Sequence, residues 1–570
     1  MKPAVATLAV VLLASAAAGT AQAQNLMISG GTIHTGAPAS PVGPAEVVLV
    51  RDGRIAYVGP RASAPDTAGL TEIDLKGATL FPGFTDGHAH LDGIGQRELT
   101  LNLEGSASLT EAMAKLTAWA EAHREGPIVG RGWIETRWPE SANGPRFLTA
   151  ADLDAAAPGR IVLLQRADGH ATTASSAALA AARIDASTPV PSGGDIHKDA
   201  SGKPTGFLVD AAQALIEPLV PQNDPEALRA AYKAGFRVEA AYGWTGVHFM
   251  SAPFKDVPMM EALASVGEAP IRVYNSVTPD GAQALFASGP RSVADGRVIT
   301  RAVKFYVDGA LGSRGAALFE PYADAHDSRG LLQITPEEII PLYEQAYRSG
   351  IQVATHAIGD RGNALVLDWY RDAVAHEAGS GAAAGAPPKD LRWRIEHAQI
   401  LRPGDEPRFA AQKVIASMQP SHAIGDFHFA AARLGDARLD GAYAWESLLD
   451  LGVTVVGGSD APVERGDPLI EFYAAVARRD LEGFQGPDWR PREAVSRAEA
   501  LAMFTTAPAY ASFREDELGT IEVGKRADFT AFDIDLMTVP EAEIPKGHAV
   551  LTVVDGKVVY ERPVAPSLTN

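Results

Sequence analysis

His88 and His90 stand one residue apart in Phe81-Pro-Gly-Phe-Thr-Asp-Gly-His-Ala-His. On a strand two such imidazoles share one face, so both can reach one cation. Lys304, His356, His397 and Asp460 follow, each in or closing a short apolar run. Imidazole, carboxylate and a modified lysine are donors that a borderline divalent metal accepts. Such an ion makes a nucleophile from water near neutral pH. The chemistry these residues point to is metal-assisted hydrolysis.

Each residue also has a plainer reading. A His-x-His pair is common by chance and can be a hydrogen-bonded polar cluster. Lys304, in Val303-Lys-Phe-Tyr, can be a buried salt-bridge partner, and an ammonium cannot ligate a cation. A desolvated lysine has a lowered pKa, however, and its neutral amine can take up CO₂ as a bridging carbamate. His356 and His397 alone would be core histidines; on consecutive expected strands they read as the second metal's pair. Asp460, in Gly457-Gly-Ser-Asp-Ala-Pro, can be a helix cap or turn residue. Beside a metal it would both ligate and take a proton from water.

These residues need a scaffold. From about residue 230 the chain alternates apolar runs with helical stretches; the runs lie at 246–251, 271–277, 302–307, 351–356, 393–397, 414–419 and 453–458. With 79–84 ahead of His88 they make eight buried strands, the pattern of a (β/α)₈ TIM barrel in the α/β class. Most candidate ligands fall at or just past the C-terminal strand ends, where barrel active sites lie. Both chain ends are β-rich, 24–82 and 511–570, and are expected to form one small β-sandwich domain beside a barrel of residues 83–510. Residues 91–240 are too long for a loop and are expected to fold as an insertion over the active site.

The bulk composition restricts partners. Hydrophobic residues are 46% and charged residues 21% of 570, ordinary for a globular protein. Lys+Arg 50 against Asp+Glu 70 gives −20, which argues against nucleic acid or an anionic membrane as partner. The absence of cysteine excludes disulfides, thiolate metal sites and a cysteine nucleophile. Lys2, the apolar stretch to about residue 19 and Ala21-Gln-Ala23 read as a signal peptide over 1–23, so a periplasmic or secreted protein, free of the membrane after cleavage, is expected.

The chain resembles the amidohydrolase superfamily, and within it the amidohydrolase 3 branch of YtcJ-like and N-substituted formamide deformylase-like proteins. The resemblance rests on the segment ending in His90, Arg131-Gly-Trp133, Ala167-Asp-Gly-His170 and Val303-Lys-Phe-Tyr-Val-Asp-Gly-Ala-Leu-Gly-Ser-Arg314. It continues through His356-Ala-Ile-Gly-Asp-Arg, Arg394-Ile-Glu-His397-Ala, Ser417-Met-Gln-Pro-Ser-His422 and Gly458-Ser-Asp460-Ala-Pro. One departure is Gly315, where relatives usually carry Thr. The resemblance implies a metal-dependent hydrolase of a non-peptide C–N bond. It puts the metal on His88, His90, His356, His397 and Asp460, with Lys304 as a carbamylated bridge left open.

The expected cofactor is one or two divalent ions per chain, zinc by preference. The expected substrate is a small amide or formamide attacked by a metal-activated hydroxide, with Asp460 as proton shuttle. His170 or His422 would steady the oxyanion, and Trp133, Arg314 and His422 are candidate substrate contacts. Two rival readings are a deaminase of a cyclic amidine and an exported binding protein without catalysis. A homodimer is compatible with the sequence.

Overall fold

A computed structural model describes residues 25–37, 45–136, 138–142, 146–167, 169–191, 193–220, 225–379, 389–485 and 489–563. The segment read as a signal peptide lies outside the described residues, as does the Gly/Ala/Pro-rich stretch 380–388, whose composition reads as a surface loop. Eight apolar runs form the barrel: β1 Phe84–Ala89, β2 Trp244–Ala252, β3 Arg272–Val277, β4 Val298–Tyr306, β5 Gln352–Ala357, β6 Arg394–His397, β7 Ile415–Met418 and β8 Val455–Gly457. They pair in sequence order, every neighbour parallel. Such strands are covered on both faces, which is why they read as continuous apolar runs.

The strand ladder runs from β1 to β8. Its seam is held just above the strands. Asp460 N donates to His88 O at 2.6 Å and His90 N to Ala461 O at 2.7 Å. The buried Asp86 carboxylate adds a staple, accepting from Ser459 N at 2.9 Å and Ser459 Oγ at 2.5 Å.

The first strand differs from the expectation at 79–84. Thr79–Pro82 pairs antiparallel with Phe529–Phe532 in the small β unit, and the barrel strand begins only at Phe84. Pro82 has no N–H to continue a ladder. Gly83 donates to Asp528 O at 2.9 Å, and a Cβ there would lie 2.4 Å from Thr245 Oγ1, so the chain crosses between sheets where only glycine fits.

Two sheets make the small β unit. Leu26–Ser29, Val47–Arg51, Arg54–Gly59 and Thr71–Asp74 form one; Thr32–Ile33, Thr79–Pro82, Phe529–Phe532, Ala549–Val554 and Lys557–Glu561 form the other. Leu26, Ile28, Val48, Val50, Leu80, Phe529 and Val553 fill the space between them. The hairpin at Asp555-Gly556 has φ of 50° and 67°, as a two-residue turn with left-handed residues requires. Arg272 of β3 grips this unit through Asp528, at 2.6 and 2.9 Å, and through Asp555 at 2.5 Å.

The insertion is shorter than 91–240. Helix α1 (Leu91–Leu99) and helix α2 (Pro225–Tyr242) belong to the main core through Leu91, Ile94, Tyr232 and Phe236. They meet backbone to backbone; a Cβ on Gly95 would lie 1.8 Å from Ala231 O. Between them, Leu101–Asn102, Ile128–Trp133, Val162–Arg166, Ala171–Ala174, Gly194–Lys198 and Pro204–Asp210 form a separate six-stranded sheet with its own apolar clusters. No helix among the described residues is long and apolar enough to cross a membrane.

Candidate metal centre

Parallel barrel strands deliver their last residues to one rim, and the histidines gather there. His88 is the penultimate residue of β1 and His90 follows it; His356 lies near the end of β5 and His397 ends β6. Lys304 sits within β4, 1% exposed, and Asp460 comes three residues after β8. His397 and Asp460 have φ of 72° and 58°. A left-handed non-glycine residue costs about 1–3 kcal/mol, and here the cost falls on two candidate ligands.

The donors converge on one carboxylate. Asp460 Oδ1 lies 3.0 Å from His90 Nε2 and 3.4 Å from His88 Nε2, and Asp460 Oδ2 lies 3.5 Å from His422 Nε2. Lys304 Nζ is 3.5 Å from His88 Nε2. The His397 ring lies 4.5 Å from that of His356 and 4.9 Å from that of His88, centroid to centroid. Two rings are turned from behind. His88 Nδ1 donates to Glu396 Oε2 at 2.7 Å, and His397 Nδ1 donates to Gln419 Oε1 at 2.7 Å. Each bond fixes the tautomer and leaves Nε2 bare toward the centre, as a metal ligand requires.

Electrostatics give the same picture. Burial, followed by the charge of Lys304, pushes His88 down to about 4, and burial holds His356 and His397 well below the usual imidazole range. The rings are therefore neutral at pH 7. Burial also pushes the Lys304 ammonium down to about 8, against the pull of Glu396 and Asp460, so a neutral amine is accessible. Burial disfavours the Asp460 carboxylate, and the charges that His88 and His90 carry when protonated would bring its pKa well below the ordinary range.

A divalent cation fits the donor set. A bare imidazole nitrogen facing a carboxylate oxygen without a shared proton is repulsive unless a cation stands between them. Two donors about 2.1 Å from one tetrahedral zinc lie about 3.4 Å apart, close to the separations of His88 Nε2 and His422 Nε2 from the Asp460 carboxylate, 3.4 and 3.5 Å. His356 Nε2, His422 Nε2 and Asp460 Oδ1 are buried without a hydrogen-bond partner, which a native fold tolerates only where another group satisfies them.

The structure brings together His88, His90, Lys304, His356, His397, Asp460 and His422. It treats the other candidates differently. Trp133 is not a substrate contact: it is fully buried inside the insertion, packed on Trp138 and Phe207, with Nε1 donating to Leu164 O at 2.9 Å. Its bulk fills the insertion's own core, the packing role a tryptophan takes when its N–H finds a partner. Arg314 lies outside the cluster, its guanidinium forked onto Asp324 at 3.1 and 3.0 Å. His170 projects from the insertion, held by Asp210 at 2.8 Å, and its charge reaches His356.

Several participants carried no role in the sequence reading. Glu396 and Arg394 are fully buried and paired at 2.5 and 3.0 Å, and Arg394 also donates to Gly87 O at 2.7 Å and to His248 Nδ1 at 2.9 Å. Alternation was the available signal: residues 394 and 396 point to one face of a strand, and two charges inside a barrel must pair. Asp308 accepts from the backbone N–H groups of Ala317, Ile358 and Gly359 at 2.8–3.0 Å and so shapes the loop after His356.

Comparison with known proteins agrees. The profile described as the amidohydrolase family matches residues 71–560. The chain is 35% identical over 537 residues to YtcJ of Bacillus subtilis (strain 168), a provisionally named amidohydrolase, covering 91% of this chain and 96% of that one. It is 30% identical over 539 residues to the N-substituted formamide deformylase of Arthrobacter pascens, covering 91% and 95%. Among solved structures, an uncharacterized metal-dependent hydrolase from Pyrococcus horikoshii OT3 superposes with a TM-score of 0.73 at 25% identity, covering 90% of this chain and 98% of that one.

Proposed function

The chain belongs to the amidohydrolase family, and from that premise we propose that it cleaves an amide- or formamide-like bond of a small molecule at the centre around Asp460. The enzyme is a hydrolase of non-peptide carbon–nitrogen bonds. One observation carries the site assignment: His88, His90 and His422 all turn Nε2 to a single buried carboxylate, at 3.0–3.5 Å. His88, His90, His356, His397 and Asp460 would hold one or two divalent ions, zinc by preference. A bound ion supplies acidified water and a polarised carbonyl oxygen.

The chain's own groups do the rest. Asp460 has one oxygen toward His88 and His90 and the other toward His422. A carboxylate so placed accepts the proton of the attacking water and returns it to the leaving nitrogen. The amine of Lys304, adding CO₂ with loss of one proton, becomes an anionic oxygen donor beside His88. His170, steadied by Asp210, would donate to the oxyanion that forms as the carbonyl is attacked. The formamide class is favoured by similarity to the Arthrobacter pascens deformylase.

The test is a turnover screen of zinc-loaded protein against N-formyl amines, N-acyl amino acids, cyclic amides and esters. Formate or carboxylate released with an amine is expected. Ammonia from a ring amidine as the sole product would overturn the reading.

A further inference from the structure

We infer that His422 is a metal ligand, shared with His397 and Asp460 around a second cation. The inference rests on the reading of this centre as a metal site. It moves His422 out of the substrate-contact role that its sequence position suggests.

His422 is carried by α3 (Pro420–Asp426), the short helix after β7. Glu471 fixes the start of that helix by accepting from Ser421 N at 3.0 Å. Gln419, immediately before it, turns His397. One stretch of four residues thus sets both rings, which stack with centroids 5.7 Å apart and planes 15° apart. His422 Nε2 is buried and has no hydrogen-bond partner. It faces Asp460 Oδ2 at 3.5 Å.

The donor atoms of His397, His422 and Asp460 lie within 4.8 Å of one another, as do those of His88, His90 and Asp460. Asp460 turns Oδ1 to the His88/His90 group and Oδ2 to His422. Two three-donor groups joined by a bridging carboxylate are the arrangement of a two-cation site. An oxyanion-stabilising role would need an N–H on Nε2 aimed at substrate. A proton there would face the Asp460 carboxylate instead. His356 lies in neither three-donor group; its Nε2 is 3.6 Å from Asp308 Oδ1.

The experiment compares wild type, His422→Ala and His88→Ala, each dialysed against a weak chelator at fixed free zinc, with zinc per chain measured by elemental analysis. Circular dichroism and thermal unfolding establish that each variant is folded. Wild type should hold two ions. His422→Ala should lose one, its site weakened at least about tenfold, while His88→Ala loses the other. Anomalous scattering from zinc-loaded wild-type crystals should show an ion within bonding distance of His422 Nε2, and this measurement stands even if His422→Ala does not fold. Unchanged zinc content and affinity in His422→Ala, or an ion absent from His422 in the anomalous map, overturns the inference. Wild type that binds no divalent ion would instead overturn the reading of the whole centre.

Discussion

The amide of Asp460 donates to the carbonyl of His88 at 2.6 Å, and the Asp460 carboxylate returns to the His88 ring at 3.4 Å. Backbone and side chain of one residue therefore face the same partner across the barrel seam. The bond that closes the barrel also sets the separation of two candidate ligands. A left-handed φ of 58° at Asp460 makes both contacts possible at once.

If Asp460 is the proton shuttle, Asp460→Asn should lose about 10²–10⁴-fold in kcat with a smaller change in KM, since proton transfer helps only on the way to the transition state. The assay needs metal content matched to wild type, because loss of the ion would imitate the effect. Near wild-type turnover with full metal would pass the role to another group at the rim, His170 first.

Glu396 holds the His88 ring from behind and is itself held by Arg394. Glu396→Gln should weaken metal binding by about 10–100-fold, the usual effect of removing a partner that orients a ligand. Chelator competition measures it, with thermal unfolding alongside, because an unpaired Arg394 also destabilises the barrel. Unaltered affinity would mean that His88 keeps its orientation without the carboxylate.

Lys304, with its amine pushed down to about 8, should take up CO₂. Intact mass under gentle conditions should carry one added CO₂, and Lys304→Ala should lose activity that short carboxylic acids partly restore. An unmodified amine in fully metal-loaded, active enzyme would refute the carbamate.

Asp555 accepts from Arg272, Arg297 and Arg526 at 2.5, 2.6 and 2.9 Å. Burial raises its pKa, but the charges of Arg272 and Arg297 outweigh burial and hold it far below the carboxylate range. A depressed pKa gives stability that is present above the unfolded value, about 4, and lost as pH falls toward the folded value. Asp555→Asn should cost about 3 kcal/mol at pH 7. Denaturant unfolding at pH 7, 5 and 3.5 should show the gap between variant and wild type constant at the first two and beginning to narrow at the lowest; a gap that widens there contradicts the assignment.

Much of this protein is legible in its sequence. Seven of the eight apolar runs read as strands lie in the barrel, and with the helical stretches between them they specify it because buried parallel strands need no alternation. Histidine and aspartate at strand ends then point to the rim and to groups that could bind a metal, and linked motifs identify the family. Local pattern also placed Lys304 among apolar neighbours, where the structure buries it.

What the sequence left open depends on residues distant in the chain. Trp133 and His170 lie in segments of similar composition. Only the insertion's packing buries the first in its own core and ties the second to Asp210. The division at Pro82-Gly83 depends on Asp528 and Thr245, far along the chain. The partners of His88, His397 and Asp460, namely Glu396, Gln419 and His422, emerge only when β1, β6, β7 and β8 meet at one rim. Residue type and spacing determine which donors a chain offers. Which nitrogen stays bare, and which carboxylate oxygen it faces, is decided by the barrel closing on itself.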